Sequence, residues 1–308
     1  MSSDSGKIRA VAAVMAAGIL WGMLGLAVRH FNAAGLSALD ITALRAAGAA
    51  IVLWIAAVTF FRSSISIRLR DCWCFAGCGI ASIVLFNICY FFTVNRTSLG
   101  VAATLLYTSP VFVALMARLF FGERFTLATG AALIMTISGC ALVSGIRSGA
   151  SLAMPIDAFS AGICSGFCYA LFSIFGRFAQ RRGYNSFTIT LWSFTFAAAA
   201  LTAFANWKIY FTALSSQPVN TLVWTGAMII FGTVLPYFLY TLGLGRLTAS
   251  NAAIYACIEP VTAALTGIVC FRERPDAMTF SGTLLIIGAV VMMQLRRKSA
   301  QDTGNQHL

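Results

Sequence analysis

Glu259 stands in the middle of a long apolar stretch and is the only acidic side chain so deep in any such stretch of the chain. Hydrocarbon offers a carboxylate nothing to bond, so a group placed there has a partner or a task. Three tasks are open to it: holding an ammonium group, carrying a proton, or pairing with Arg45, the one basic residue inside another apolar stretch. Pro260 follows directly, so a hydrogen bond at a broken helix end is a fourth, purely structural reading. Arg45 has two readings of its own. Its planar guanidinium suits a substrate carboxylate, held by two parallel bonds, or it satisfies helix-end carbonyls and snorkels to the surface.

The aromatic residues gain meaning in pairs. Asn87 and Tyr90 are three residues apart, as are Tyr237 and Tyr240, so each pair shares one helical face. A shift of 150 positions superposes the two pairs, and a shift of 148 superposes Trp21 on Tyr169. These six side chains are expected to line one central cavity, with Tyr107 and Tyr255 added to its wall. Such a wall stacks on an aromatic ring or cages a cation. The competing expectation is the belt that Tyr and Trp form at headgroup level, which Trp73, Trp207 and Tyr210 fit. The phenylalanines are assigned to packing and lipid contact.

The elements that hold these residues follow from composition. The chain of 308 residues is 59% hydrophobic and 10% charged, where a soluble protein carries about 25% charged residues. A bilayer is the solvent this balance requires. Apolar stretches recur at about 8–28, 38–60, 73–94, 99–120, 126–146, 156–176, 187–206, 219–243, 249–270 and 278–295. Each is near the roughly 20 residues a helix needs to cross the hydrocarbon core, whereas barrel strands alternate over about 10. Ten spans joined by short loops are expected, with 207–218 a long loop and 296–308 a cytoplasmic polar tail. Lys7 and Arg9 lead into the first span, not a cleavable signal.

The net charge of +12 is topogenic rather than a nucleic-acid patch, because the basic residues sit in small groups between apolar runs. With the N-terminus in the cytoplasm, 14 Lys and Arg fall on inner segments and six on outer ones, which places both termini inside. Nine cysteines and two histidines offer no zinc set. Most of the cysteines lie in apolar runs as small hydrophobes, and no metal or cofactor is expected.

The last third of the chain repeats its first half. Aligned at an offset of 150, residues 96–124 and 246–274 agree at 10 of 29 positions, including Pro110/Pro260, Glu123/Glu273 and Arg124/Arg274. Gly18/Gly166, Arg29/Arg177 and Gly35/Gly183 agree at 148. Five spans per half is an odd number, so the second half enters from the opposite side and the repeat is inverted. The expected units are 8–146 and 156–295. Gly18-x-x-x-Gly22 and Gly162-x-x-x-Gly166 let backbones approach closely. Pro110, Pro236 and Pro260 should kink their spans and are candidates for gating. The Glu123-Arg124 and Glu273-Arg274 pairs read as loop and helix-end electrostatics, with gating as the alternative.

With its early Leu20-Trp21-Gly22, Arg45 in the second span, and the two late blocks Ala102 to Arg124 and Ala252 to Arg274, the chain resembles the EamA-type branch of the drug/metabolite transporter superfamily over nearly its whole length. The resemblance implies an all-α integral membrane fold in which two five-helix halves surround a central cavity, in a bacterial-type plasma membrane. It also implies traffic in small metabolites or amino acids; YddG-like exporters of aromatic amino acids and RhtA-like exporters of threonine or homoserine are members. Repeated halves with a site between them suit a secondary transporter working by alternating access. The expected direction is export, of a small-molecule substrate, with proton coupling through Glu259 and facilitated diffusion both open. No Gly-x-x-x-x-Gly-Lys-[Ser/Thr] loop occurs, so ATP is not the evident energy source. The rivals are import of a small cation, quaternary amine or vitamin caged by Trp21, Tyr90 and Tyr240, and a scaffold or receptor. An enzyme is disfavoured by the lack of clustered His, Asp or Glu at membrane depth.

Overall fold

A computed structural model describes residues 2–143, 155–272 and 277–305. Among them every regular element is a helix. Eight helices are long and apolar enough to cross a membrane: α1 (Gly6–Ala33), α2 (Ala38–Thr59), α3 (Leu69–Arg96), α4 (Leu99–Phe121), α6 (Ile156–Arg181), α7 (Ser186–Phe204), α8 (Pro218–Leu244) and α9 (Ala249–Cys270). Two more are apolar but shorter, α5 (Leu127–Val143) and α10 (Ala277–Met293).

Local chemistry sets the ends of these helices. Gly35 (φ +90°) and Gly183 (φ +88°), 148 positions apart, turn the chain just past α1 and α6 in the left-handed conformation glycine adopts without strain. Two residues on, Ser37 and Asn185 cap α2 and α7, accepting from Asp40 N at 3.2 Å and Thr188 N at 2.8 Å. Ser98 and Thr248, 150 apart, cap α4 and α9 through Val101 N and Asn251 N, each at 3.3 Å. The same punctuation therefore occurs twice, at the spacing of the sequence repeat.

Packing follows that repeat as an exchange. α1 lies along α8, and its counterpart α6 lies along α3. α1 also packs on α9, and α6 on α4, while α2 pairs with α7 and α5 with α10. The first helix of each half is thus buried mainly against helices of the other half, as a two-fold relation requires. Within the α5–α10 pair the backbones nearly touch: a Cβ on Gly139 would meet Gly282 O at 2.8 Å, and one on Gly282 would meet Gly139 O at 2.6 Å. The broad apolar faces left outside, including Ile51, Leu119, Ile134 and Val269, are those a bilayer covers.

Two expectations need correction. The segment 207–218 is not a loop, because Trp207–Ser216 forms a helix. Its Tyr210 does not sit in an interfacial belt. It is buried with Phe31, Leu36, Ile41, Leu44 and Met228 in a separate apolar cluster, and its hydroxyl meets Thr225 Oγ1 at 3.2 Å. A helix of ten residues is too short to cross a bilayer, so it reads as a connection between spans. Trp207 donates to Thr202 O at 2.8 Å, and Trp73 remains partly exposed at the start of α3.

Candidate functional site

The site is built on broken helices. α9 runs as Ala249–Ala256, stops at Cys257 and Ile258, and restarts as Glu259–Phe271. Its counterpart α4 runs as Leu99–Leu106, stops at Tyr107 and Thr108, and restarts as Ser109–Phe121. Pro260 and Pro110 occupy the first turn of the restarted helices, where a missing N–H costs no hydrogen bond. Each proline therefore follows its break rather than sitting at the apex of a bend. Glu259 becomes the first residue of a half-helix inside the protein, at the end whose dipole favours negative charge. Ser109 holds the same position in α4 and is buried without charge.

Glycines press neighbouring helices onto these breaks. A Cβ on Gly18 would lie 2.7 Å from Ala256 O, and one on Gly22 would lie 2.6 Å from Glu259 O. Across the repeat, a Cβ on Gly166 would lie 2.9 Å from Leu105 O. Trp21 precedes Gly22, so this contact brings its ring to the α9 break.

Arg45 reaches a second irregularity. α8 contains a wider, π-type turn at Ile230–Val234, and α3 contains one at Gly77–Val84. Such turns misalign carbonyls from their helical partners. Arg45 Nε donates to Thr233 Oγ1 at 3.1 Å, and Nη2 reaches Gly232 O at 3.4 Å. Pro236 lies in the regular helix that follows, Leu235–Leu244. Arg45 and Glu259 attract each other electrostatically, yet among the described residues they do not form an ion pair within 4.0 Å; the pairs at that range are Arg96–Asp157 and Arg182–Asp71. Both side chains are only half-buried.

Aromatic rings connect the two charges. The Tyr169 hydroxyl donates to Glu259 Oε2 at 3.3 Å. Phe86 packs against Tyr169 (centroids 5.3 Å apart) and Tyr90 (5.8 Å). On the other side Trp21 meets Tyr237 edge-on at 5.1 Å and Tyr240 at 5.6 Å. Phe172 and Phe194 close on Tyr237 at 5.0 and 4.9 Å. Tyr107, half-buried at the α4 break, packs with Cys140, Cys257, Val261 and Ile286. Tyr90, Tyr107, Tyr169 and Tyr237 all lie within electrostatic reach of Glu259.

Eight of the ten residues picked out as cavity candidates thus share one neighbourhood: Trp21, Arg45, Tyr90, Tyr107, Tyr169, Tyr237, Tyr240 and Glu259. The other two, Asn87 and Tyr255, are engaged in packing. Asn87 (5% exposed) donates to Ile83 O at 2.7 Å and accepts from Thr42 at 3.2 Å. Tyr255 is 1% exposed within the main core, and Tyr240 (5% exposed) shares a 2.6 Å hydrogen bond with Ser173. Sequence reasoning missed Thr233, Phe86, Phe172 and Phe194. A usable signal existed for two of them: Phe172 is three residues beyond Tyr169, and Phe86 four before Tyr90, each at helical spacing.

The helix-end reading of Glu123 has a specific form. Its carboxylate accepts from Ala249 N at 2.7 Å, Ser250 N at 3.2 Å and Ser250 Oγ at 2.7 Å, capping α9 from the opposite half. Glu273 and Arg274 lie outside the described residues.

Broken helices with charged and aromatic groups at the break, set between two related halves of a membrane-embedded chain, define a multi-pass membrane protein of the transporter class. The chain belongs to the EamA-like transporter family, whose model matches residues 8–145 and 158–295. It is 22% identical over 290 residues (92% of this chain, 94% of the relative) to YicL, an uncharacterized inner membrane transporter of Salmonella typhimurium. It is 30% identical over 203 residues (66% and 68%) to an uncharacterized transporter of Archaeoglobus fulgidus. With CntI, a pseudopaline exporter of Pseudomonas aeruginosa, it shares 25% identity over 217 residues (70% and 72%). A crystal structure of a protein 19% identical in sequence superposes with a TM-score of 0.74, covering 94% of this chain and 98% of that one, and so shares the fold.

Proposed function

We propose that the protein is a secondary transporter that exports small zwitterionic metabolites or amino acids by alternating access. The observation that carries this reading is the separation of Arg45 and Glu259. They are opposite charges, both half-buried, lined by one set of rings and not neutralising each other. A substrate ammonium suits Glu259 and a substrate carboxylate suits the guanidinium, while the rings of Trp21, Tyr169 and Tyr237 take the apolar body. Tyr169 and Thr233 hold the two charged groups in place. Export is favoured by the likeness to a pseudopaline exporter.

In this reading all ten apolar helices cross an inner membrane, both termini face the cytoplasm, and the halves are inverted. The units are residues 8–146 and 156–295. The α4 and α9 breaks are the places where one half rocks on the other. Proton coupling resides in Glu259.

Proteoliposomes test this. A panel of amino acids and related zwitterions is screened by thermal shift, since a ligand of the folded state raises Tm by mass action, and hits are followed by counterflow in both orientations. Glu259→Gln is expected to abolish flux driven by a pH gradient while leaving counterflow measurable; unchanged gradient-driven flux in the mutant removes the coupling role. The second reading, import of a small cation, rests on the Trp21–Tyr237–Tyr240 ring cluster beside Glu259. It predicts counterflow of quaternary amines that survives Arg45→Gln.

A further inference from the structure

At one end of the bundle, where α3 begins and α6 ends, the chain carries a positively charged pocket apart from the Arg45–Glu259 centre. Its volume is about 380 Å³, and it is lined by Arg68, Arg70, Asp71 and Arg182. Three guanidinium groups face one carboxylate, leaving an excess of two positive charges.

That carboxylate serves as a fixed strut. Asp71 Oδ1 pairs with Arg182 Nε at 2.9 Å, and Oδ2 accepts from the Tyr184 hydroxyl at 2.8 Å. Burial pushes the Tyr184 phenol above its ordinary value, so it keeps the proton it donates. The Tyr184 hydroxyl oxygen in turn accepts from Arg68 N at 3.0 Å, which ties the turn before α3 to the segment just past α6. Arg182 is further held over the Trp73 ring at 4.8 Å. Among the described residues, the Arg68 and Arg70 side chains have neither a hydrogen-bonding acceptor nor an acidic partner. A rigid frame therefore presents two guanidinium groups with their bonding capacity unspent.

The surroundings are apolar. Leu69, between the two arginines, is 90% exposed, and Trp73, one turn on, is 41% exposed. The pocket lies where α3 begins and α6 ends, the level at which a membrane-spanning helix passes from hydrocarbon to headgroups. Tryptophan favours that level, and basic pockets there suit anionic headgroups.

We propose that the Arg68–Arg70–Arg182 pocket binds a phosphate-bearing anion, presented by an anionic membrane lipid whose acyl chains lie against Leu69 and Trp73. Guanidinium pairs match phosphate oxygens in geometry and charge. The site is independent of the Arg45–Glu259 centre, so its failure leaves the transport reading intact.

The test uses the full-length chain purified in a neutral detergent, followed by thermal unfolding. Phosphatidylglycerol, phosphatidylcholine and inorganic phosphate are titrated separately against the wild type, R68Q/R70Q and L69S. Phosphatidylglycerol is expected to raise Tm in the wild type, and phosphatidylcholine is not. In R68Q/R70Q the apparent affinity should fall about tenfold or more, the loss expected of at least one charge-assisted contact. Unliganded melting should stay unchanged, since both side chains are exposed. L69S should weaken the lipid response alone. If inorganic phosphate reproduces the whole effect and L69S changes nothing, the ligand is a soluble phosphate and not a lipid. Equal responses to phosphatidylglycerol in the wild type and R68Q/R70Q, or equal responses to the two lipids, overturn the site.

Discussion

Gly22 and Tyr169 govern the geometry at the broken α9, and Arg45 that at the π-type turn of α8. Gly22 admits Glu259 O so closely that a methyl group has no room, and the atom it would strike is backbone, which cannot swing aside. Gly22→Ala is therefore expected to cost about 1–3 kcal/mol, the usual range for overpacking, and to lower substrate affinity by displacing Glu259; thermal unfolding and counterflow on the same preparation check both. Tyr169→Phe removes the donor to Glu259 Oε2 and should weaken ammonium-bearing substrates while leaving stability nearly unchanged. Arg45→Lys keeps the charge but loses the forked geometry that spans Thr233 and Gly232 O, so transport should fall even though charge is conserved. At this scale the sequence was informative about charge and poor about partners. A lone Glu or Arg in an apolar run announces itself, because hydrocarbon tolerates neither without reason. Thr233 does not, since threonine is common in such helices and only the π-type turn aims its hydroxyl at Arg45.

Elements meet at helix ends, and there the two halves support each other. Glu123 caps α9 with three hydrogen bonds from the opposite repeat. Glu123→Ala should destabilise the protein by about 1–2 kcal/mol, the scale of a lost cap, seen as a lower melting temperature in detergent; an unchanged value would mean water replaces the cap at no cost. Pro260 forbids residues 257–260 from joining one continuous helix, so Pro260→Ala should reduce flux more than Pro110→Ala, because only α9 carries a charge at its break. The helices themselves were legible from runs of apolar residues, and the prolines marked the breaks to within three positions. Pro236 likewise lies two positions past the π-type turn of α8, whereas that of α3 left no such trace. The Trp207–Ser216 helix was missed because it is too short to span, and only the cluster around Phe31 and Met228 shows what its apolar residues are for.

For the molecule as a whole, the repeat predicted more than any motif, because its offsets of 150 and 148 carry over to caps, breaks and packing partners alike. Charge distribution adds a direct test of orientation. In a background lacking the nine native cysteines, Lys208→Cys should react with a membrane-impermeant maleimide added to intact cells, and Arg62→Cys only after permeabilisation. The reverse pattern would overturn the cytoplasmic placement of both termini. What the sequence could not supply is which equivalent positions share a cavity. Asn87 is taken up by Thr42 and Ile83 O although it holds the position equivalent to Tyr237.

The exchange of first helices also bears on ancestry. α1 rests on α8 and α9, and α6 on α3 and α4, so a single five-helix half would leave its own broken helix uncovered and its leading helix without a bed. A primordial half-length chain would satisfy those surfaces by pairing with a second copy across a two-fold axis. Co-expressed as two separate polypeptides, 1–150 and 151–308, the halves should find one another in the membrane, whereas either one expressed alone should be degraded.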